Sequence, residues 1–304
     1  MKNRSKAATG ILLTTLSALL YGTLPVFANL SYAAGSNAET FNFYKSAWAI
    51  PVLAVLVLLR RQPVRLPKRL ALWAVLAGVL GKGITSLFLF LSYNYVSGGV
   101  ATTLHFMYPL FAALLGWVFF HERLPLYKWL TLLVSTLAVS LFVDTQSGAG
   151  SLTGVFYALA SAIVYAVFIV VIDKSGIAQL DPFVFALYLA CSGAVFSLLF
   201  GMGTGTLHLA VSLCAGFFAA CAAVVTSAIA IACFQRGIRL LGGANAAFFS
   251  MLEPVGSCVL GYLFLRETIT VRAMVGIALI LGAELVMIWL DSRRHAAEGS
   301  REHA

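Results

Sequence analysis

Charge is scarce in this 304-residue sequence: Asp, Glu, Lys and Arg together make up 10%, against about a quarter in an ordinary soluble domain. With 61% apolar residues and a mean hydropathy of +0.95, the chain lacks the polar side chains to cover a water-exposed surface. Reactive side chains are thin as well. The five cysteines, Cys191, Cys214, Cys221, Cys233 and Cys258, form no CxxC pair and all fall in apolar runs, so they read as small packing residues. The five histidines are dispersed as His105, His121, His208, His295 and His303, without metal-ligand spacing, and no P-loop is present. Neither a metal, a cofactor nor ATP hydrolysis is expected. Polar segments are short too, which leaves no room for a soluble catalytic domain.

What is present is a series of apolar runs of about 20 residues, the length that crosses a bilayer. Ten fit: 7–29, 40–59, 70–94, 100–120, 126–143, 152–172, 182–202, 209–234, 244–264 and 272–290. Without water to satisfy the backbone, such runs must be helices or closed barrels. A barrel strand would alternate polar and apolar residues over about ten positions, whereas Leu70 to Phe90 is apolar all round. The expected class is therefore an all-α membrane protein with ten transmembrane helices.

Positive charge orients the runs, because cytoplasmic loops collect Lys and Arg. With the N-terminus inside, cytoplasmic segments hold Lys2, Arg4, Lys6, Arg60, Arg61, Arg65, Lys68, Arg69, Arg123, Lys128, Lys174, Arg236, Arg239, Arg293, Arg294 and Arg301. External segments hold only Arg266 and Arg272, a division of 16 to 2, with Lys45 and Lys82 inside runs. Both termini are expected in the cytoplasm, with the protein in the cell (inner) membrane. Anionic headgroups account for the net charge of +9 better than a nucleic acid does. Ala28 or Ala34 could end a signal-peptide site, but the first run has a counterpart in the repeat described next, which argues that it is retained.

Sliding the sequence on itself gives the most specific signal. YPLFAALLGWVFFHE, Tyr108 to Glu122, returns as EPVGSCVLGYLFLRE, Glu253 to Glu267. Pro109, Gly116, Phe119 and Glu122 coincide with Pro254, Gly261, Phe264 and Glu267 at an offset of 145, as do Gly98 with Gly243 and Ala101 with Ala246. Ser17 and Tyr21 match Ser161 and Tyr165 at 144. Each half thus holds five runs, and an odd number reverses the second half, as in the inverted repeats of secondary transporters. The expected organisation is a five-helix repeat over 7–144, a second, inverted one over 152–291, and a polar cytoplasmic tail over 292–304.

Through these paired Pro…Gly…Glu segments, over roughly residues 10–290, the sequence resembles the EamA family of the drug/metabolite transporter superfamily. The resemblance implies two inverted five-helix bundles around a cavity lined mainly by the third, fourth, eighth and ninth helices. It also implies transport of amino acids or other metabolites, often outward. Leu252-Glu253-Pro254 looks like the form in amino-acid-exporting members, and Lys45 sits where many members have an arginine.

Charges inside a membrane must face a cavity or find a partner. Lys82 and Glu253 both fall near mid-span; together they can bind the carboxylate and ammonium of a zwitterion, or simply bridge helices three and nine. Tyr108 is the repeat counterpart of Glu253, and Ser227 that of Lys82. Thr226 and Ser227 are cavity candidates, and Tyr93 and His105, with Asn94 and Trp117, offer hydrogen bonds or aromatic contacts, although packing is the plainer reading of each taken alone. Tyr21 and Tyr165 read as packing residues or paired gates. Pro109 and Pro254 free the carbonyls of His105 and Ser250, which either line a hydrated cavity or are satisfied by neighbouring helices. Gly116 and Gly261 suit a close contact of the fourth and ninth helices. Glu253 and Glu284 are candidates for a coupling proton, Glu284 also for an interhelical hydrogen bond, while Lys45 suits a structural pair or a reach to the external surface.

The resulting expectation is a secondary transporter for zwitterionic amino acids or related small metabolites, working by alternating access and exporting by family analogy. Other classes are an intramembrane enzyme acting on a small or lipid-like substrate, which would convert its substrate without moving it, and a receptor or scaffold whose cavity does not alternate. Solute, coupling ion and oligomeric state are open at the level of sequence.

Overall fold

A computed structural model describes residues 2–121, 125–139, 141, 149–241, 246 and 249–302, with side chains left aside at 2–5, 7, 120, 149–151, 291, 292 and 294–302. The described chain is all-α. Eight helical stretches are long and apolar enough to cross a membrane: α1 (Ala8–Ala33), α2 (Ala38–Leu59), α3 (Lys68–Ser92), α4 (Gly98–Phe119), α6 (Leu152–Ser175), α7 (Pro182–Thr204), α8 (Leu213–Leu241) and α10 (Val271–Leu290). Two shorter apolar helices, α5 (Leu126–Val139) and α9 (Leu252–Leu265), fall between them. Large apolar side chains such as Leu58, Leu72, Phe119, Leu213 and Phe264 point outward. In water such a surface is an aggregation hazard; in lipid it is solvated.

The stretches are interrupted where the sequence forbids regular helix. Pro25 restarts α1 after Thr23, and α4 breaks at Phe106–Met107, restarting at Tyr108 with Pro109 in its first turn. The helix of α9 starts at Leu252 with Pro254 likewise near its N-terminus, after the turn at Met251. Proline has no N–H to lose there, so α4 breaks and starts a new helix rather than carrying Pro109 in its interior. α3 widens into a π-helical segment over Val79–Thr85 and α8 does the same over Val225–Ala230. His121 and Arg266, 145 apart, both take the left-handed conformation at φ 54° in caps that close onto the carbonyls of Gly116 and Gly261, the latter accepting from the Glu267 N–H at 3.2 Å. These caps and wide turns recur at the offset of the sequence repeat. Glu122 and Gly243 lie outside the described residues.

Packing follows the same rule. α1 lies against α8 and α9, while α6 lies against α3 and α4; α2 packs on α7 and α8, α7 on α2 and α3. α5 packs on α10, and the first half of α4 on α9. Exchanging each helix for the one five places on reproduces these pairs, so each half lends its first helix to the other. Glycines permit the closest crossings: a Cβ on Gly237 would strike Thr14 of α1, and one on Gly81 would meet the Phe168 ring of α6 at 2.9 Å.

One expectation requires correction. A Cβ on Gly261 would collide with the carboxylate of Glu267, a few residues on in the same chain, so this glycine makes room for its own cap. α4 and α9 instead meet through Gly99, where a Cβ would collide with the Cys258 sulfur and lie 2.9 Å from Cys258 Cα. Gly116 is buried on the half of α4 that packs on α6, not on α9. In the segment expected as a polar tail, the backbone of residues 292–302 continues the α10 helix to Glu302.

Candidate functional site

A cavity of about 310 Å³ lies where the two halves meet. That is within the size range of small-molecule sites. Its wall draws on more helices than the expected third, fourth, eighth and ninth. α1 contributes Ser17 and Tyr21, α2 contributes Lys45, and α6 contributes Tyr165 and Phe168. Lys82, Thr85 and Ser86 from α3, His105 and Tyr108 from α4, Thr226 from α8, Glu253 from α9 and Ser250 just before it complete its polar surface. The exchange of first helices explains the difference, since it inserts α1 and α6 between the halves.

Lys82 projects from the π-helical segment of α3, its stem crossing α7 at Gly193, where an added Cβ would meet Lys82 Cβ at 2.6 Å. Asn42 of α2 holds that segment in place by donating to the Gly83 carbonyl at 3.1 Å and to Ser197 Oγ of α7 at 3.0 Å. Lys45 follows Asn42 by one turn of α2. It is only 3% exposed, with Nζ 4.8 Å from the centre of the Phe90 ring. It lies within electrostatic range of Lys82, and both lysines reach a small neighbouring space that Ser227 also lines. Lys45 therefore belongs to the cavity rather than to the external surface.

Glu253 occupies an aromatic setting. Gly22 lets α1 approach so closely that an added Cβ would lie 3.1 Å from the Glu253 carbonyl, and the neighbouring Tyr21 lies within electrostatic range of the carboxylate. Tyr108 and Tyr165 are also in range and meet edge to face, ring centres 4.7 Å apart. His105 stands 5.1 Å from the Tyr165 ring and places Nδ1 2.9 Å from Ser161 Oγ. Ser161 donates its own proton to the Ala158 carbonyl at 2.6 Å, so His105 Nδ1 is the donor to Ser161. Among the described residues neither Lys82 nor Glu253 has an ion-pair partner. They share a cavity without bridging each other.

The cavity lies between two helical halves, and a family model covers nearly the whole chain in two matching parts. The model of the EamA-like transporter family matches residues 8–143 and again 152–289. This chain belongs to the EamA-like transporter family. It is similar to uncharacterized transporter YcbK of Bacillus subtilis, 26% identical over 89% of this chain and 90% of that protein. It is also similar to uncharacterized transporter sll1319 of Synechocystis, 26% identical over 77% of this chain and 74% of the relative. Uncharacterized inner membrane transporter YicL of Salmonella typhimurium is 29% identical over 74% and 75%. A solved crystal structure aligns with a TM-score of 0.64 over 94% of this chain and 98% of its own at 18% identity, a likeness of fold alone.

In this EamA-like multi-pass membrane protein the other sequence candidates disperse. Tyr93 does not line the cavity; 6% exposed, it packs against Phe90 in the main apolar cluster. Thr226 faces the cavity but donates its hydroxyl to Ala222 at 2.7 Å. Pro109 and Pro254 sit just beyond the wall, next to Tyr108 and Glu253. Glu284 is fully buried on α10, within electrostatic range of Tyr108 and Lys128, and both its oxygens lack hydrogen-bond partners among the described residues. The anticipated interhelical hydrogen bond at Glu284 is therefore not made. Glu267, outside the apolar stretches, accepts from the Gly98 N–H at 3.2 Å and so ties the end of α9 to the start of α4. Burial raises its carboxyl above the usual range, and the Gly98 bond opposes that shift in part. Sequence reasoning gave Lys45, Tyr21 and Tyr165 structural or gating roles; the repeated tyrosines were the available signal, whereas Lys45 had none within the repeat.

Proposed function

We propose that this EamA-like protein is a secondary transporter that carries amino acids or related small metabolites across the inner membrane by alternating access. In this reading ten helices span the bilayer as two inverted five-helix halves, over 7–144 and 152–291, with both termini cytoplasmic. Support comes from the recurring caps, wide turns and helix pairs, together with the odd number of apolar runs per half and the 16-to-2 placement of Lys and Arg. The shared framework carries the conformational exchange. Export is the preferred direction by family analogy.

The observation that carries the reading is a cavity between the halves with unpaired charges of both signs on its wall, Lys82 and Glu253. An isolated charge in the membrane interior is expensive unless something neutralises it. A zwitterionic solute does so at both places, its carboxylate against Lys82 and its ammonium against Glu253. The tyrosines around Glu253 add ring faces that favour a cation. Proton coupling falls to Glu253, which the solute reaches, and to Glu284, which it does not.

The test is counterflow in proteoliposomes containing the purified protein, with labelled amino acids outside and unlabelled ones inside. Accumulation of unchanged solute supports transport. Chemical conversion without movement would mean an enzyme, and binding without movement a receptor. Retention of wild-type counterflow by both Lys82→Gln and Glu253→Gln would sink the assignment of the site.

A further inference from the structure

The basic side of the cavity holds one more cation than the zwitterion scheme uses. Lys45 and Lys82 enter from adjacent helices, lie within electrostatic range of each other, and have no carboxylate partner among the described residues. Beside them are two buried hydroxyls, Ser46 at 2% and Thr85 at 3% exposure, whose oxygens have no hydrogen-bond partner among the described residues. Ser46 lines the small space shared with both lysines and Thr85 lines the cavity itself. Buried polar atoms are rarely left unsatisfied, and two close cations without an anion are more costly still. Glu253 stands among the tyrosines and is the one carboxylate that lines the cavity among the described residues.

We propose that the solute carries two anionic groups and one amino group, as an acidic amino acid does, with Lys45 and Lys82 each taking one anionic group. Thr85 and Ser46 donate to the oxygens that the lysines leave uncovered, and Glu253 receives the ammonium. Bound in this way the solute supplies two negative charges against two lysines and one positive charge against one carboxylate. This rests on the reading of the cavity as the solute site and replaces a net-neutral solute with a net-negative one.

Isosteric pairs provide the test: L-aspartate with L-asparagine, and L-glutamate with L-glutamine. Binding is read by calorimetry on the purified full chain in detergent, and transport by counterflow of the same solutes in proteoliposomes. An acidic solute should outcompete its neutral isostere by about tenfold or more, the scale of one hydrogen bond to a charged group. Lys45→Gln should collapse that ratio towards one and Lys45→Arg should restore part of it. Thr85→Val, which keeps the shape and removes the hydroxyl, should lower the ratio if Lys45→Gln does not give a monodisperse protein. Aspartate binding that depends on Lys45, without counterflow, would support the acidic site and remove the transport reading. Counterflow of asparagine in preference to aspartate would support transport and overturn the acidic site. Failure of every acidic solute both to bind and to move would overturn it as well.

Discussion

Replacing Gly99 with alanine drives a methyl group into the side of α9. The new Cβ would lie 2.9 Å from Cys258 Cα and 3.1 Å from Cys258 Cβ, and nearer still to the sulfur. Carbon atoms come to rest about 3.5–4.0 Å apart, so the helices must separate by roughly 0.5–1 Å there. A rotamer change at Cys258 moves the sulfur but not Cα, so backbone displacement is required. Overpacking on this scale costs about 1–3 kcal/mol. Thermal unfolding of the purified protein in detergent should fall accordingly for Gly99→Ala and further for Gly99→Val. Cys258→Gly removes the sulfur and Cβ while leaving Cα, so the double variant should recover part of the loss, a coupling that neither single change produces. Since this contact joins the halves, counterflow should fall more than solute binding does. Unfolding at the wild-type temperature with wild-type counterflow in both Gly99 variants would refute the close crossing of α4 and α9.

Three further outcomes can be checked on the same preparations. Glu284→Gln should leave thermal stability equal or higher, because a buried carboxylate without a hydrogen-bond partner is exchanged for a neutral amide; if Glu284 carries the coupling proton, gradient-driven uptake is lost while counterflow persists. Glu267→Ala should lower stability by about 1 kcal/mol through loss of the acceptor for Gly98 N–H, whereas Glu267→Gln keeps an acceptor and should be tolerated. For the wild-type Glu267 carboxyl the folded value lies above the unfolded one, so the folded state holds its proton more tightly and stability declines as pH rises through the folded value. Thermal unfolding followed over pH should show that decline reduced in Glu267→Gln.

The apolar runs, the repeat and the location of Lys82, Tyr108 and Glu253 were legible in the sequence, because run length and a shared Pro…Gly…Glu spacing are local properties. The facing of individual side chains was not. A run that is apolar all round has no moment to distinguish its lipid side from its cavity side, so Lys45 read as structural and Tyr93 stayed open between packing and solute contact. Gly116 and Gly261 matched a packing motif, yet Gly261 accommodates a carboxylate six residues ahead, and Gly99 had no partner glycine to signal the true crossing. The entry of α1 and α6 into the cavity wall depends on which half each helix packs against. No periodicity within a helix encodes that choice.

The wide turns in α3 and α8 give the cavity a property that regular helices lack. A π-helical turn is one surplus residue accommodated without breaking the backbone hydrogen-bond ladder. If it moves along its helix, every residue it passes rotates by about 100°, one residue's share of an α-helical turn, while the flanking turns keep their neighbours. Lys82 and Ser227 sit inside these segments. Such a shift would swing Lys82 relative to the main cavity and Ser227 relative to the small space beside it, changing which polar groups face inward while the flanking turns hold the halves together.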